Sequence, residues 1–360
     1  MTLAILVGCL NDNITKAQID PFLYYKKELK NHLNLKIKQY VAQTFEEIDV
    51  ICRAHNSEIV FLLPSWKESL SKELLYKAEK VVRNIKADYP TRKLIFIDPF
   101  AQANTNYFSL LPHVDYFIKR QCYKELNNYN KKFIGGSLFT DFLSKNKHFD
   151  FSNWDVSSEL SKDNLHKIIP GWNLGIAKKF RQSLLKKSIP YFDKTPKKTV
   201  DVFCRLSIGD TGSKLWYSQY RTIAVEALNP LVADYRVAKS GKDSSNLVSR
   251  RQYNSEIKRS RIVFSPFGWG EACWRDFEAV CNDCLLIKPS MAHIVTEPNI
   301  FVEGETYIPV RWDFSDLEEK CRYYLSHPNK ADSVIKKAKE KYQDYFKQKH
   351  FMKKIKKIIY

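Results

Sequence analysis

Residues 261–289 have the sequence RIVFSPFGWGEACWRDFEAVCNDCLLIKP, and this stretch decides the fold that we predict for the second half of the chain. The apolar run 262–264 predicts a buried strand, which a loop containing glycine and proline, 265–270, brings to an end. A helix is predicted over about 272–284 and a second apolar strand over 285–287. A strand, a glycine loop and a helix N-terminus favour an anion, because free backbone N–H groups and the positive end of the helix dipole face the loop.

Two carboxylates accompany this loop, Glu271 at its end and Glu278 in the second turn of the predicted helix. A carboxylate repels a phosphate, but it accepts hydrogen bonds from neutral hydroxyl groups. A ligand that carries hydroxyls beside its phosphates, such as a sugar joined to a ribose nucleotide, therefore suits both residues.

The same stretch resembles the donor-binding half of GT-B glycosyltransferases, above all exostosin-like and bacterial polysaccharide-locus enzymes. The core of those enzymes runs roughly S-P-F-G-W-G-E-x-x-x-R-D-F-E-A, and residues 265–271 and 275–279 match it position by position. The alternative is an ordinary βαβ crossover whose loop glycines bind nothing. A lone turn of that kind would not need Trp269, Glu271 and Arg275 together.

The resemblance implies two Rossmann-like α/β domains with a cleft between them, the donor on the second domain and the acceptor on the first. Both halves of the chain alternate strands and helices, as doubly wound parallel sheets require. We predict an N-terminal acceptor domain over 1–189, a linker over 190–198, a donor domain over 199–328 and a basic amphipathic C-terminal helix over 329–360.

Candidate donor-binding residues are those expected at the carboxyl ends of strands in the second half, on the motif helix, or on nearby loops and helices. They are Arg205, Ser207, Arg221, Gly268, Trp269, Gly270, Glu271, Arg275, Glu278, Lys288 and His293. The resemblance assigns Glu278 to the ribose hydroxyls and Glu271 to the transferred sugar. It assigns Arg205 to the donor phosphate, where a guanidinium would also stabilise the leaving group. Arg205 has the alternative of capping its own loop, and Arg275 that of pairing with Asp276 or Glu271.

The expected catalytic residues are Asp98, Glu271 and Arg205. Asp98 follows an apolar strand in the first half and precedes Pro99, and a carboxylate at this position is expected to take the acceptor proton as a general base. Three further carboxylates compete for that role: Asp12, Asp115 and Asp141.

The 360 residues suffice for two domains, and a hydrophobic content of 44% supports buried cores. No apolar run approaches the roughly 18 residues that span a bilayer, and the opening segment 3–10 lacks the basic start and cleavage site of a signal peptide. We therefore expect a soluble cytoplasmic protein. Among the eight cysteines, Cys281 and Cys284 form the one short pair, and no second pair is available to complete a zinc site.

The net charge of +19 is unevenly distributed, since residues 329–360 hold eleven lysines against three acidic residues. Apolar residues recur there at helical spacing, which is typical of a basic helix on an anionic membrane surface. An alternative is a terminal helix packed on the protein by its apolar stripe, and the resemblance implies that this helix can cross back to the first domain. Nucleic-acid binding is a third interpretation, but no nucleic-acid motif accompanies the charge.

The sequence thus predicts a metal-independent glycosyltransferase that moves a sugar from a nucleotide-sugar donor to a glycan or lipid-linked glycan acceptor. The expected pathway is capsule or lipopolysaccharide synthesis, at the inner face of the membrane. No cofactor and no nucleic-acid partner are expected, and the chain has no Asp-x-Asp pair for a metal. The alternative is a non-catalytic GT-B-like module that binds glycans or nucleotides at the membrane surface. The donor sugar, the base, the acceptor and the stereochemical outcome stay open.

Overall fold

A computed structural model describes residues 1–10, 13–154, 156, 160, 162–186, 196–209, 215–241 and 247–360. The chain divides into two compact units, here called unit 1 and unit 2. Unit 1 comprises residues 1–178, 294–297 and 349–360, and unit 2 comprises 179–293 and 298–348. Most of the predicted linker, residues 190–195, lies outside the described residues, as does Asp12.

Unit 1 is built on a six-stranded parallel sheet. Its strands are β1 (Thr2–Gly8), β2 (Leu35–Val41), β3 (Ile59–Leu63), β4 (Lys93–Ile97), β5 (Tyr116–Lys119) and β7 (Ile168–Pro170). They lie in the order β2-β1-β3-β4-β5-β7, and a separate antiparallel ribbon pairs β6 (Gln121–Tyr123) with β12 (Ile294–Thr296). β3 is buried at every position, as an interior strand of a parallel sheet should be, whereas β2 at the edge alternates lysine with apolar residues.

The helices of unit 1 are α1 (Asn13–Tyr24), α2 (Lys26–Leu33), α3 (Phe45–Ala54), α4 (Lys72–Asp88), α5 (Leu138–Lys147) and α12 (His350–Ile359). Their N-termini follow local sequence signals: the Thr44 side chain caps α3 by accepting from the Glu47 amide, and Ser71 caps α4 in the same way. α4 turns Ala78, Val82 and Ile85 to the core.

Unit 2 repeats this plan with five parallel strands. These are β8 (Val200–Cys204), β9 (Val237–Lys239), β10 (Ser260–Phe264), β11 (Leu285–Pro289) and β13 (Ile308–Val310), in the order β13-β11-β10-β8-β9. The helices are α6 (Lys178–Leu185), α7 (Trp216–Glu226), α8 (Arg250–Lys258), α9 (Trp274–Cys281), α10 (Leu317–Ser326) and α11 (Pro328–Lys347). The predicted fold class, α/β with two Rossmann-like sheets, is confirmed.

Each sheet has one point at which the strand order reverses, between β1 and β3 in unit 1 and between β8 and β10 in unit 2. Doubly wound sheets bind ligands beyond the carboxyl ends of the strands at such a switch point, because the two adjoining loops diverge there and leave a crevice. In unit 2 these loops begin at Arg205 and Ser265, so the motif found in the sequence lies where this topology opens its crevice.

The C-terminal segment is two helices, and the prediction of one helix over 329–360 is wrong. α11 ends at Lys347, and α12 begins after Lys349, whose backbone is left-handed with φ 50°. The apolar side chains of α12 are buried in unit 1, where Phe351 packs edge-on against Phe22 and Trp172. Its apolar stripe is therefore used for packing. Within the described residues, no helix is both long and apolar enough to cross a bilayer.

Candidate functional site

The motif loop of unit 2 is held from beneath by buried polar contacts. It leaves β10 at Ser265, whose hydroxyl donates to Asp276 Oδ1 at 2.5 Å. The other oxygen, Asp276 Oδ2, accepts from the Cys273 amide at 2.8 Å and caps α9. Asp276 is fully buried, so both ends of the loop are fixed to one carboxylate inside the protein.

Lys288 completes this support, and the structure does not place it where a ligand could reach it. Its ammonium donates to Asp276 Oδ1 at 3.2 Å and to the Ser265 carbonyl at 3.3 Å, and both side chains of the pair are 0% exposed. The expectation that Lys288 contacts the donor is corrected: it neutralises Asp276 in the core, because a buried carboxylate needs a partner charge.

Arg205 is likewise engaged by the protein itself. Its Nε and Nη2 donate to the two oxygens of Glu256 on α8, at 2.8 and 3.0 Å, and its Nη1 donates to the Lys239 carbonyl. The Nε and Nη2 fork of Arg205 is thus occupied by a carboxylate of the protein itself, which also neutralises the charge. We therefore withdraw Arg205 from both the catalytic and the donor-binding sets.

Two other arginines differ from Arg205 in this respect. Arg221 on α7 donates to the Ser207 carbonyl at 2.8 Å, and Arg275 on α9 donates to the Arg205 carbonyl at 3.0 Å and to the Ser265 hydroxyl at 3.3 Å. Neither guanidinium forms an ion pair with any carboxylate in the described part of the chain. Burial lowers the pKa of Arg221, and the positive charge of Arg275 lowers it further. The two cations therefore lie close enough for the charge of Arg275 to act on Arg221.

Gly268 lets one of these cations approach the loop. A Cβ at this position would come within 2.4 Å of Arg221 Nη2, so any side chain would displace the guanidinium. The Gly268 amide turns back to the Gly270 carbonyl at 3.1 Å and forms the tip of the loop, with Trp269 half-buried between them. The structure therefore brings together Arg221, Arg275 and the loop that were predicted to contact phosphate.

Glu271, at the end of the loop, lies beside His293. The His293 Nε2 is 3.9 Å from Glu271 Oε1, and both side chains are largely buried. The imidazole ring packs edge-on against Trp312, at 4.9 Å between ring centres, and near Phe267 at 6.4 Å. A carboxylate and an imidazole within an aromatic wall form an arrangement that can hydrogen-bond hydroxyl groups on one side and pack apolar surface on the other.

Glu278, in the second turn of α9, is the centre of a further group of polar contacts. Its Oε1 accepts from Lys179 at 2.8 Å and from Arg250 at 3.3 Å, and its Oε2 accepts from the Tyr253 hydroxyl at 2.8 Å. Burial alone would raise the pKa of Glu278, but the hydrogen bonds from Lys179 and Tyr253 and the charge of Arg250 outweigh it and lower that pKa. Glu278 is therefore an ionised acceptor.

Asp98, which was predicted as the general base, lies in a buried ion pair of unit 1. It is fully buried, with one oxygen bonded to the ammonium of Lys119 and the other accepting from the Thr105 hydroxyl at 2.9 Å. A base has to reach the proton that it takes, and here both oxygens face buried partners. The structure thus contradicts the role given to Asp98. Of its rivals, Asp12 lies outside the described residues, Asp115 pairs with Lys86 and Asp141 pairs with Lys145.

The cysteines and possible metal ligands form no site among the residues described. No group of three or more histidine, cysteine, aspartate or glutamate side chains there could hold a metal ion. Burial raises the pKa of Cys281 to about 12 and of Cys284 to about 11, which keeps both thiols protonated.

Several residues of these clusters were missed by the sequence analysis. Trp312 lies two residues beyond the end of β13, so the strand-end rule could have identified it. Tyr253, Lys179 and Glu256 carry no such signal, because each lies on a helix face whose neighbours only the tertiary structure reveals.

Comparisons with known proteins find a family match over part of the chain and several distant structural likenesses. Residues 221–357 match the model of a family described as glycosyl transferase-like. A glycosyltransferase from Rickettsia africae is 11% identical, with 99% of each chain covered and a TM-score of 0.49. TarM is 9% identical, with 99% of this chain and 98% of that chain covered and a TM-score of 0.45. The pneumococcal O-GlcNAc transferase GtfA, solved with UDP and GlcNAc, is 11% identical, with 86% and 59% covered and a TM-score of 0.44.

No curated protein matches the chain. The matched range includes Arg221, the whole motif loop, and the residues of α8 and α9 described above. Over that part of the chain it agrees with the resemblance to glycosyltransferases, and it supports glycosyltransferase activity.

Proposed function

We propose that this chain, whose residues 221–357 match the glycosyl transferase-like family, is a nucleotide-sugar-dependent glycosyltransferase with its donor site on unit 2. The observation that carries the proposal is the pair Arg221 and Arg275 at the glycine loop. Arg221 is bonded to a carbonyl oxygen and Arg275 to a carbonyl and a hydroxyl oxygen, and neither is bonded to a described carboxylate. Two adjacent cations that have no carboxylate bonded to them repel each other, and a diphosphate would relieve that repulsion.

The sugar and the ribose find complementary groups on either side of the two arginines. We assign the transferred sugar to Glu271 and His293, with Trp312 and Phe267 as the apolar wall. We assign the ribose to Glu278, which has three donors of its own while a carboxylate accepts about four hydrogen bonds. The remaining lone pair suits a hydroxyl.

The reaction as proposed needs no metal ion. Charge that develops on the leaving diphosphate would be stabilised by the guanidiniums of Arg221 and Arg275 and by the N-terminus of α9, which are positioned before the reaction. Glu271 and His293 are the candidates for contact with the reacting sugar. Because Asp98 lies in a buried structural ion pair, we do not assign it as the group that deprotonates the acceptor.

The acceptor proposed is a glycan or lipid-linked glycan of a cell-surface polysaccharide, capsule or lipopolysaccharide, and the place of action is the cytoplasmic face of the membrane. The support is the likeness of residues 265–279 to polysaccharide-locus enzymes and the basic character of the chain. Because the apolar stripe of α12 is buried, contact with an anionic membrane would use the exposed lysines of α11 and α12 through charge alone.

Isothermal titration with UDP, GDP, CMP, dTDP and ADP, with and without EDTA, tests the donor site. We expect one nucleotide to bind, unaffected by EDTA, and Arg221→Met or Arg275→Met to weaken it roughly 10- to 100-fold, since hydrogen bonds to charged groups contribute about 1.5–3 kcal/mol. Arg236→Met, which removes an exposed arginine from the same unit, is the control and should bind as the unaltered protein does.

Nucleotide binding that both arginine variants retain would contradict this site. Nucleotide binding without hydrolysis or transfer from any matching nucleotide-sugar would instead favour the non-catalytic module. If EDTA abolishes nucleotide binding and a divalent ion restores it, the metal-free mechanism is overturned while the binding site stays in place.

A further inference from the structure

Unit 1 carries a large groove that has no part in the proposed donor site. It has a volume of about 700 Å³ and lies between the helical hairpin α1–α2 and strand β2. The lining residues are Leu6, Phe22, Leu23, Lys26, Lys30, Leu35, Lys36, Ile37, Lys38, Gln39 and Tyr40. Its floor is apolar and its rim is cationic, so it offers both apolar contact and charge.

The groove follows the free edge of a sheet. β2 is the terminal strand in the sheet order, and its described pairing is with β1 alone. The five consecutive residues 36–40 all line the groove. Successive side chains of a strand point to opposite faces, so a groove that touches five in a row runs along the edge itself, where unpaired backbone N–H and C=O groups are presented.

The charge of the rim is of one sign. Four lysines line it, two on α2 and two on β2, and no lining residue is acidic. None of these four lysines forms an ion pair with another described residue. Around them, segment 24–41 holds five lysines and one carboxylate, Glu28. Charge complementarity therefore calls for an acidic occupant.

The shape and charge of the groove favour one kind of occupant over the others. A second copy of this edge would bring the lysines of two β2 strands together, which is unfavourable. A membrane surface meets a protein over convex or flat faces, whereas Phe22 and Leu35 on the floor are only 2% and 1% exposed. An extended chain fits both the concave floor and the free strand edge.

We propose that this groove binds an extended segment of a partner protein in which acidic residues alternate with apolar ones, and that the segment adds to the sheet as a strand beside β2. Backbone hydrogen bonds to the free edge supply affinity, as in other cases of strand addition. The acidic side chains meet Lys26, Lys30, Lys36 and Lys38, and the apolar ones, on the opposite face, lie over the floor beside the exposed Leu23.

The test uses the full-length protein and a fluorescein-labelled peptide, acetyl-Glu-Val-Glu-Ile-Glu-Val-Glu-amide, with binding followed by fluorescence anisotropy. We expect saturable binding that weakens at higher salt, because exposed ion pairs are screened. Replacing the four rim lysines by glutamine should weaken binding roughly tenfold or more. The matched control replaces four exposed cations around α4, Lys67, Lys72, Lys80 and Arg83, by glutamine and should leave binding unchanged.

A second probe separates strand addition from simple charge attraction. The same peptide with alternate backbone nitrogens methylated keeps every carboxylate but loses the N–H groups of one edge, so we expect its binding to be lost. Equal binding of the methylated peptide, equal effects of the two quadruple variants, or no peptide binding would each overturn the proposal. Binding of vesicles of phosphatidylcholine and phosphatidylglycerol that requires the four rim lysines, without peptide binding, would assign the groove to a membrane instead. Unchanged thermal unfolding of both variants establishes that they are folded.

Discussion

The buried pair Lys288 and Asp276 gives the sharpest test of how the donor site is built. In Lys288→Met the side chain keeps nearly the same length, but Asp276 loses its only ion-pair partner among the described residues and keeps hydrogen bonds from Ser265 and Cys273. Breaking one partner of a buried ion pair costs about 3–5 kcal/mol. Because two hydrogen bonds remain, we expect the lower end, about 3 kcal/mol, which in a unit of this size lowers the unfolding midpoint by roughly 6–12 °C.

The assay is thermal unfolding followed by calorimetry, with Lys258→Met as the control for loss of an exposed lysine in the same unit. The double variant Asp276→Asn with Lys288→Met removes both charges, so its loss should be smaller than the sum of the two single losses. That non-additivity is the signature of a direct buried interaction.

The opposite pattern would refute this interpretation of Lys288. If Lys288→Met unfolds at the same temperature as the unaltered protein but binds nucleotide tenfold less tightly, the ammonium is a ligand group, as the sequence analysis expected. Nucleotide affinity is therefore measured at a temperature well below the midpoint of each variant, where instability cannot imitate a loss of binding.

Three further predictions concern the surrounding residues. Gly268→Ala should lower nucleotide affinity about tenfold while changing the unfolding midpoint little, because the added methyl displaces the flexible end of Arg221 and no backbone; a large fall in midpoint would contradict this. The lowered pKa of Glu278 means that its contribution to stability is present above the ordinary pKa of 4.5 and is lost as pH falls through the folded value, so Glu278→Gln should flatten the decline of the midpoint between pH 6 and pH 3. Glu256→Gln should destabilise by about 1 kcal/mol, since its pair with Arg205 is partly exposed, and leave nucleotide affinity unchanged; weakened nucleotide binding would return Arg205 to the donor site.

Local sequence signals predicted the elements of the fold well. The apolar runs 262–264 and 285–287 lie inside β10 and β11, and the glycine loop stands between β10 and α9 as expected. The predicted helix is too long because Asp283 adopts a left-handed backbone, φ 52°, and the Cys284 amide returns to Ala279 to end the helix. Periodicity continues through such a position, so a hydrophobic pattern alone does not reveal the break. The same holds at Lys349, where one predicted helix is two.

The predicted site fared differently, because the sequence shows which cations exist but not which carboxylates they meet. Arg205 was predicted from its position at a strand end, and Arg221 from its position on the next helix. In the structure Arg205 pairs with Glu256, fifty-one positions away along the chain, whereas Arg221 donates to a carbonyl. Ion pairs at such separations are decided by tertiary packing, and local patterns carry no information about them.

This difference also explains why two arginines out of the predicted cations remain as candidates for phosphate. A cation that the protein neutralises contributes to the fold, and recruiting it for a ligand would leave its carboxylate uncompensated, at a cost that reaches several kcal/mol for the buried pair of Lys288 and Asp276. A cation held only by carbonyl and hydroxyl oxygens keeps its full charge for an incoming anion and loses no partner when the anion arrives. In unit 2 that condition separates Arg221 and Arg275 from Arg205 and Lys288, and the strand order places both of them beside the loop where the crevice opens. The local electrostatics and the topology of the sheet therefore point to the same few ångströms of the surface, although they are independent properties of the chain.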